Sequence, residues 1–295
     1  MNLRPSIHIS SCGRSFFSLS ITVMLRRGHT CYRKLYIYGF GSLHPKLHQI
    51  DDPDFIGCWE EEDQAVLFFH QPKDDLVTEL SKRLGLSLEV TGESDYQDWG
   101  TRRRLAPFLV GGRWFVPCWQ NWSRPEPTIR YDPSVVFGSG AHPTTRMCLE
   151  ALARIWEMAP VSTVADLGCG VGLISLLAGH LGAEKVLAVD RNPLCVEVCR
   201  ANVERNALGK QIMVKLADVL ETELPWRDIT VANLYRGLLL ELFRRPWFWN
   251  GRYYILSGFV PSMEEEIKEG LKKAGCKILW REQQEGWVLL VGEKK

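Results

Sequence analysis

Beyond residue 143 the chain settles into short apolar runs, each ended by a polar residue or glycine, with longer amphipathic stretches between them. The runs Thr163 to Leu167, Lys185 to Asp190, Ile212 to Leu216, Ile229 to Asn233 and Tyr253 to Ser257 predict strands. Helices fill the gaps, which is the βαβ rhythm of a parallel sheet. Asn192 before Pro193 predicts a capped helix start, and Ser262 with Glu265 predicts a capping box for a helix stopped at Gly275. The last two runs, Cys276 to Arg281 and Trp287 to Val291, are joined by a turn too short for a crossover helix, so they must pair antiparallel.

The first third of the chain is less regular. Strands are predicted at Leu35 to Gly39, Gln64 to His70 and Leu86 to Val90, with a helix over Asp74 to Leu84, which together make a small α+β module. From Gly92 to Pro127 the chain is rich in Trp, Pro, Gly and Arg, with one strand expected at Arg113 to Pro117. This stretch reads as a connector, and its Arg102, Arg103, Arg104 run as a solvated face. The expected division is therefore residues 1–30, a small α+β domain over 31–95, a connector over 96–130 and a larger α/β domain over 131–295. No Asp or Glu precedes Asp51, and residues 1–30 are Arg- and Ser-rich. They read either as a leader, a mitochondrial transit peptide among the options, or as a stretch upstream of a true start at Met24.

Composition narrows the class only mildly. With 45% apolar and 24% charged residues the chain has material for a core, and a net charge of +1 gives no reason to expect direct nucleic-acid binding. The 9 cysteines include no CxxC pair and no zinc spacing, so no metal is expected and the thiols read as reduced, in a cytoplasmic protein. The apolar run Phe16 to Leu25 is too short to span a bilayer, and no membrane association is expected.

The chemistry concentrates at the strand ends. Val164 to Gly172 is a strand that breaks into a turn carrying Gly168, Gly170 and Gly172 and then opens a helix, so the backbone there can approach a ligand closely. The spacing is GxGxG, whereas the dinucleotide fingerprint is GxGxxG. Asp190, ending the second strand, can receive the ribose hydroxyls of an adenosyl group or cap the next helix. Asp218 after the third strand can hold an adenine amino group or simply form a turn. Asn233 ends the fourth strand in Ala232-Asn233-Leu234-Tyr235, without the two prolines that follow the equivalent Asn in base-modifying amino methyltransferases. His142 reads as a loop-shaping residue ahead of a base, and the Pro117-Cys118 dipeptide is discounted as a nucleophile. Parallel strands closed by a terminal hairpin resemble the seven-stranded sheet of class I methyltransferases.

Longer motifs make the resemblance specific. Phe137-Gly138-Ser139-Gly140-Ala141-His142-Pro143-Thr144-Thr145, the glycine strand, Asp190-Arg191-Asn192-Pro193, Ala232-Asn233-Leu234-Tyr235 and Gly286-Trp287-Val288-Leu289-Leu290 are similar to those of the ribosomal protein L11 methyltransferase family, PrmA, over roughly Asp98 to the C-terminus. The resemblance implies a Rossmann-like class I fold over 131–295 and S-adenosylmethionine as cofactor. It further implies cofactor contacts from Thr145, Gly168, Gly170, Asp190 and Asn233, with Asn233 also a candidate for orienting the acceptor. The small domain over 31–95 is then the substrate-recognition module, and the reaction is methylation of lysine ε-amines or the N-terminal α-amine of ribosomal protein L11. Ser134-Val135-Val136 departs from the family, which usually has Gly-Met/Leu-Ala there, and the start of the chain does not follow a typical family beginning. Three other readings stay open from the residues alone: a methyltransferase for another protein, RNA or a small molecule; a nicotinamide oxidoreductase, disfavoured by the glycine spacing; and a non-catalytic scaffold.

Overall fold

The structure, a computed structural model, describes residues 34–48, 50–52, 54–61, 63–95 and 105–294. The expectations for residues 1–30 and for the Arg102 to Arg104 run fall outside them. The described residues divide into two compact units, 34–95 with 192–197, and 105–191 with 198–294.

In the first unit β1 (Lys34–Phe40), β2 (Phe55–Glu61), β3 (Gln64–Phe69) and β4 (Leu88–Asp95) form an antiparallel sheet of order β2-β3-β1-β4. Helix α1 (Asp74–Leu84) buries Val77 and Leu80, and carries Asp74 and Asp75 in its first turn and Lys82 and Arg83 in its last, as the helix dipole favours. Tyr38, Phe40, Phe55, Leu67 and Phe69 pack with that helix face in one core. Strand β2 was not predicted from the sequence, and β4 runs further than the apolar stretch Leu86 to Val90. Its later residues, Thr91 to Asp95, are polar yet pair through the backbone with Lys34 to Tyr38 at the sheet edge, where no apolar alternation is required.

The second unit opens with β5 (Phe108–Val110), β6 (Arg113–Pro117) and β7 (Thr128–Tyr131), a three-stranded sheet in which β6 and β7 run parallel. Then follow α2 (Pro143–Met158), β8 (Thr163–Leu167), α3 (Leu173–Leu181), β9 (Lys185–Asp190), α4 (Pro193–Arg205, its residues up to Glu197 counted with the first unit), β10 (Ile212–Leu216), β11 (Arg227–Asn233), α5 (Arg236–Leu242), β12 (Gly251–Phe259), α6 (Glu264–Lys273), β13 (Cys276–Gln284) and β14 (Trp287–Lys294). The large sheet has the order β10-β9-β8-β11-β12-β14-β13. Only β14 runs against the others, inserted between β12 and β13. The predicted parallel strands and terminal hairpin are thus found, and chain order reverses between β8 and β11, where ligands bind in open α/β sheets.

Asn192 caps α4 as expected, its Oδ1 accepting the Leu194 N–H at 2.9 Å. The capping box expected from Ser262 and Glu265 does not form. Pro261 instead starts a 3-10 turn over Pro261–Met263, which places Ser262 inside the turn, and Met263 at the start of α6 has no side-chain cap. Glu265 pairs with Lys268 at 2.8 Å instead.

Candidate cofactor site at the strand ends

The turn after β8 is held on its neighbours by its own backbone. Gly168 and Cys169 N–H groups both donate to the Val189 carbonyl, at 2.8 and 3.1 Å, and the Gly170 N–H donates to Asp190 Oδ2 at 3.0 Å. Two of its glycines are required for different reasons. A Cβ on Gly168 (φ 76°) would lie 2.5 Å from Leu234 Cδ2, and one on Gly170 (φ 50°) would lie 2.3 Å from the Phe137 carbonyl oxygen. The turn is therefore wedged between the loop that follows Asn233 and the segment that leads to Thr145. Gly168, Gly170, Asp190 and Asn233 come together at adjacent strand ends, and the Phe137 segment that packs on the glycine turn leads on to Thr145 in the first turn of α2.

That segment is fixed from several sides. The Val171 N–H donates to the Phe137 carbonyl at 3.0 Å, and the Tyr131 hydroxyl donates to the Ser139 carbonyl at 2.8 Å. The Arg146 guanidinium reaches back to the Gly140 carbonyl. His142 is the N-cap of α2, its Nδ1 accepting the Thr144 N–H at 3.3 Å and meeting the Thr144 hydroxyl at 2.8 Å. Burial lowers its pKa below the ordinary imidazole value. This is the loop-shaping role expected for it. Thr145, one residue further on, is 2% exposed, and its hydroxyl oxygen is buried without a partner.

On the other side, the Leu234 N–H donates to the Ser257 carbonyl at 3.0 Å, which pins the loop after β11 to β12. Asn233 is half-buried, and among the described residues its side-chain amide makes no hydrogen bond. Asp218 adopts a local turn, its Oδ1 accepting the Leu220 N–H at 2.8 Å, as in one of its two expected roles.

Asp166 was not singled out in the sequence. It sits within β8, 1% exposed, and its Oδ2 accepts both the N–H and the hydroxyl of Ser175 in the first turn of α3, at 3.2 and 2.7 Å. Burial, less offset by those two bonds and reinforced by Asp190, raises its pKa to about 6. The signal available was a carboxylate inside an otherwise apolar strand, which must find donors to be buried at all. Cys118 lies outside the large sheet, and burial pushes its thiol up to about 12, so it is not a thiolate nucleophile at neutral pH.

The model of the family described as ribosomal protein L11 methyltransferase (PrmA) matches residues 45–295. The chain belongs to this family. The match begins nearer the N-terminus than the motif resemblance did and takes in most of the first unit. A Bacillus velezensis protein named ribosomal protein L11 methyltransferase is 32% identical over 219 residues, covering 72% of this chain and 70% of its own length. A Staphylococcus aureus protein of the same name is 30% identical over 234 residues, 76% of this chain and 74% of the relative. Among solved structures, the ribosomal protein L11 methylase of Lactobacillus delbrueckii subsp. bulgaricus superposes with a TM-score of 0.54 at 26% identity, covering 62% of this chain and 94% of that one. The fold is that of a class I methyltransferase, and the family is S-adenosylmethionine-dependent.

Proposed function

We propose that this chain methylates ribosomal protein L11 in the cytoplasm, on lysine ε-amines and the N-terminal α-amine. The observation that carries this reading is the convergence of Gly168, Gly170, Asp190 and Asn233 at the switch point of the sheet, in a chain of this family. When bound, S-adenosylmethionine supplies an electrophilic sulfonium methyl group. The residues fit such a ligand: Thr145 offers a buried hydroxyl and Asn233 a side-chain amide, neither with a partner among the described residues. Asp190 would receive the ribose hydroxyls, and the glycine turn gives the ligand close access to the backbone.

The acceptor amine must be neutral to attack. A lysine of ordinary pKa near 10.4 is neutral in roughly one molecule per thousand at pH 7.4, a deficit of about 4 kcal/mol. Among the described residues, His142 Nδ1 is committed to Thr144 and Cys118 holds its proton, so neither His142 Nδ1 nor the Cys118 thiol takes the amine proton. Rate then comes from holding the amine in line and from desolvating it, with Asn233 or neighbouring carbonyls orienting the nitrogen.

The test is the intact mass of unmodified ribosomal protein L11 after incubation with this protein and S-adenosylmethionine, with Asp190→Ala as control. Mass steps of about 14 Da per methyl, absent in the control and mapped by peptide sequencing to lysine or the N-terminus, are the expected outcome. No step in spite of cofactor binding would overturn the target.

A further inference from the structure

Asn202 on α4 and Asn206, the residue just past its end, lie one helical turn apart and behave as a substitute β-strand. Asn206 Oδ1 accepts the Arg130 N–H at 3.1 Å and its Nδ2 donates to the Arg130 carbonyl at 2.7 Å. Asn202 repeats the pattern on Asp132: its Oδ1 accepts the Asp132 N–H at 2.8 Å and its Nδ2 donates to the Asp132 carbonyl at 2.8 Å. The match has a geometric cause. Four helical residues rise about 6 Å, and two residues of extended chain span about 6.6 Å, so side chains at i and i+4 meet alternate strand residues. The opposite edge of β7 is already used, since the Tyr131 carbonyl accepts the Cys118 N–H at 2.7 Å. The asparagine pair therefore completes the pairing of β7 and the residue after it.

Asn202 does one thing more. Its Nδ2 also donates to the Val171 carbonyl at 3.0 Å, and its Oδ1 also accepts from Arg205 Nη1 at 2.5 Å. All four bonds that a side-chain amide can make are satisfied, at a residue with no solvent exposure, and the donors and carbonyls around it allow only one orientation of the amide. Val171 belongs to the glycine turn, and its N–H is the group that holds Phe137. Asp132 begins the segment that runs through Phe137 to Thr145. We propose that Asn202 is a positioning residue for the methyl-transfer reaction, a clasp by which α4 sets the Asp132–Thr145 segment against the glycine turn. Thr145 and Gly170 would then keep their spacing whether or not a ligand is present. This rests on the proposed function for its catalytic meaning, and the clasp itself is open to test without any cofactor.

The experiment is amide hydrogen exchange on the full chain, with no cofactor added, comparing wild type with Asn202→Ala and Asn206→Ala, followed by calorimetric titration of each with S-adenosylmethionine. Asn202→Ala should speed exchange at least about tenfold in both residues 134–138 and 168–172 and weaken the cofactor by at least about tenfold. Asn206→Ala should speed exchange around residues 128–131 and leave cofactor affinity within about twofold. Equal losses in the two variants, or an unchanged glycine turn in Asn202→Ala, would overturn the proposal. If Asn202→Ala does not fold, the wild type still decides: the amides of residues 134–138 and of Val171 should open with one free energy and one denaturant dependence, and separate openings refute the clasp. Failure of the wild type to bind S-adenosylmethionine would instead sink the proposed function, while the exchange data would still judge Asn202.

Discussion

Asp190 Oδ2 accepts the backbone N–H of Gly170 at 3.0 Å. The residue expected to receive a ribose is thus also a support for the turn beside it. The two roles separate by substitution. Asp190→Asn keeps an acceptor for Gly170 and loses the charge, whereas Asp190→Ala loses both. Charge-assisted hydrogen bonds are worth roughly 1.5 to 3 kcal/mol, so Asp190→Ala should weaken S-adenosylmethionine by about tenfold or more, and Asp190→Asn should fall between it and the wild type. Calorimetric titration reads the series; equal affinities across all three would remove Asp190 from the site.

Thr145 offers a sharper contrast between stability and binding. Its hydroxyl oxygen is buried without a partner, which costs the folded chain and suits a ligand. Thr145→Val, nearly the same shape, should leave the ligand-free protein as stable or up to about 1 kcal/mol more stable. Cofactor affinity should drop by about tenfold. A variant that loses stability and keeps affinity would show that the hydroxyl serves the fold.

Ser134 stands where the family usually has glycine, and it carries a φ of 46° with its hydroxyl oxygen buried and unpartnered. A side chain in the left-handed region costs about 1 to 2 kcal/mol, part of which glycine returns through the flexibility it adds to the unfolded chain. Ser134→Gly should therefore stabilise by about 1 kcal/mol and raise the melting temperature by about 2 to 4 °C. A melting temperature that falls would mean that Ser134 makes a compensating interaction.

Asp166 gives stability a pH dependence of unusual sign. Its folded pKa, about 6, is above the ordinary 3.8, so the native state binds the proton more readily than the unfolded chain. The contribution is fully present below the unfolded value and is lost as the pH rises through about 6. Between pH 4 and 7 this amounts to about 2 to 3 kcal/mol. Asp166→Asn lacks the titration, so its stability relative to wild type should shift in its favour by that amount over the same range. Denaturant melts at four pH values would show it, and a constant difference would refute it.

If the acceptor is an amine deprotonated without a dedicated base, the chemical step should quicken with pH through the neutral range, approaching tenfold per unit well below the amine pKa. Single-turnover methylation of ribosomal protein L11 between pH 7 and 9 measures this. A flat profile with chemistry limiting would point to a residue that takes the proton.

The inner strands of the large sheet, β8, β11, β12 and β14, were legible in the sequence because they are largely buried and read as apolar runs, and the edge strands β10 and β13, which are more exposed, because strands and helices alternate and the last connection is short. The final hairpin was legible because its connection is too short for anything else. The candidate cofactor residues, apart from their chemistry, were legible as punctuation: Gly168, Gly170, Asp190 and Asn233 all stand where an apolar run stops. The strands that escaped, β2, β5 and β7, are short or interrupted, and β7 has one edge on β6 and the other on Asn206, far later in the chain. Ser262 and Glu265 looked like a cap because the local pattern does not register that Pro261 turns the chain one residue early. The sequence by itself determined the alternation of strands and helices in the large sheet, its terminal hairpin, the glycine turn and the resemblance to the family. Only the tertiary structure decided that Asp166 is held by Ser175, that Thr145 keeps an unpartnered hydroxyl, and that Asn202 joins Asp132 to Val171. Each depends on what a neighbouring element brings to the side chain, and periodicity, which records which face of an element is buried, carries no information about which polar group another element will bring to meet it.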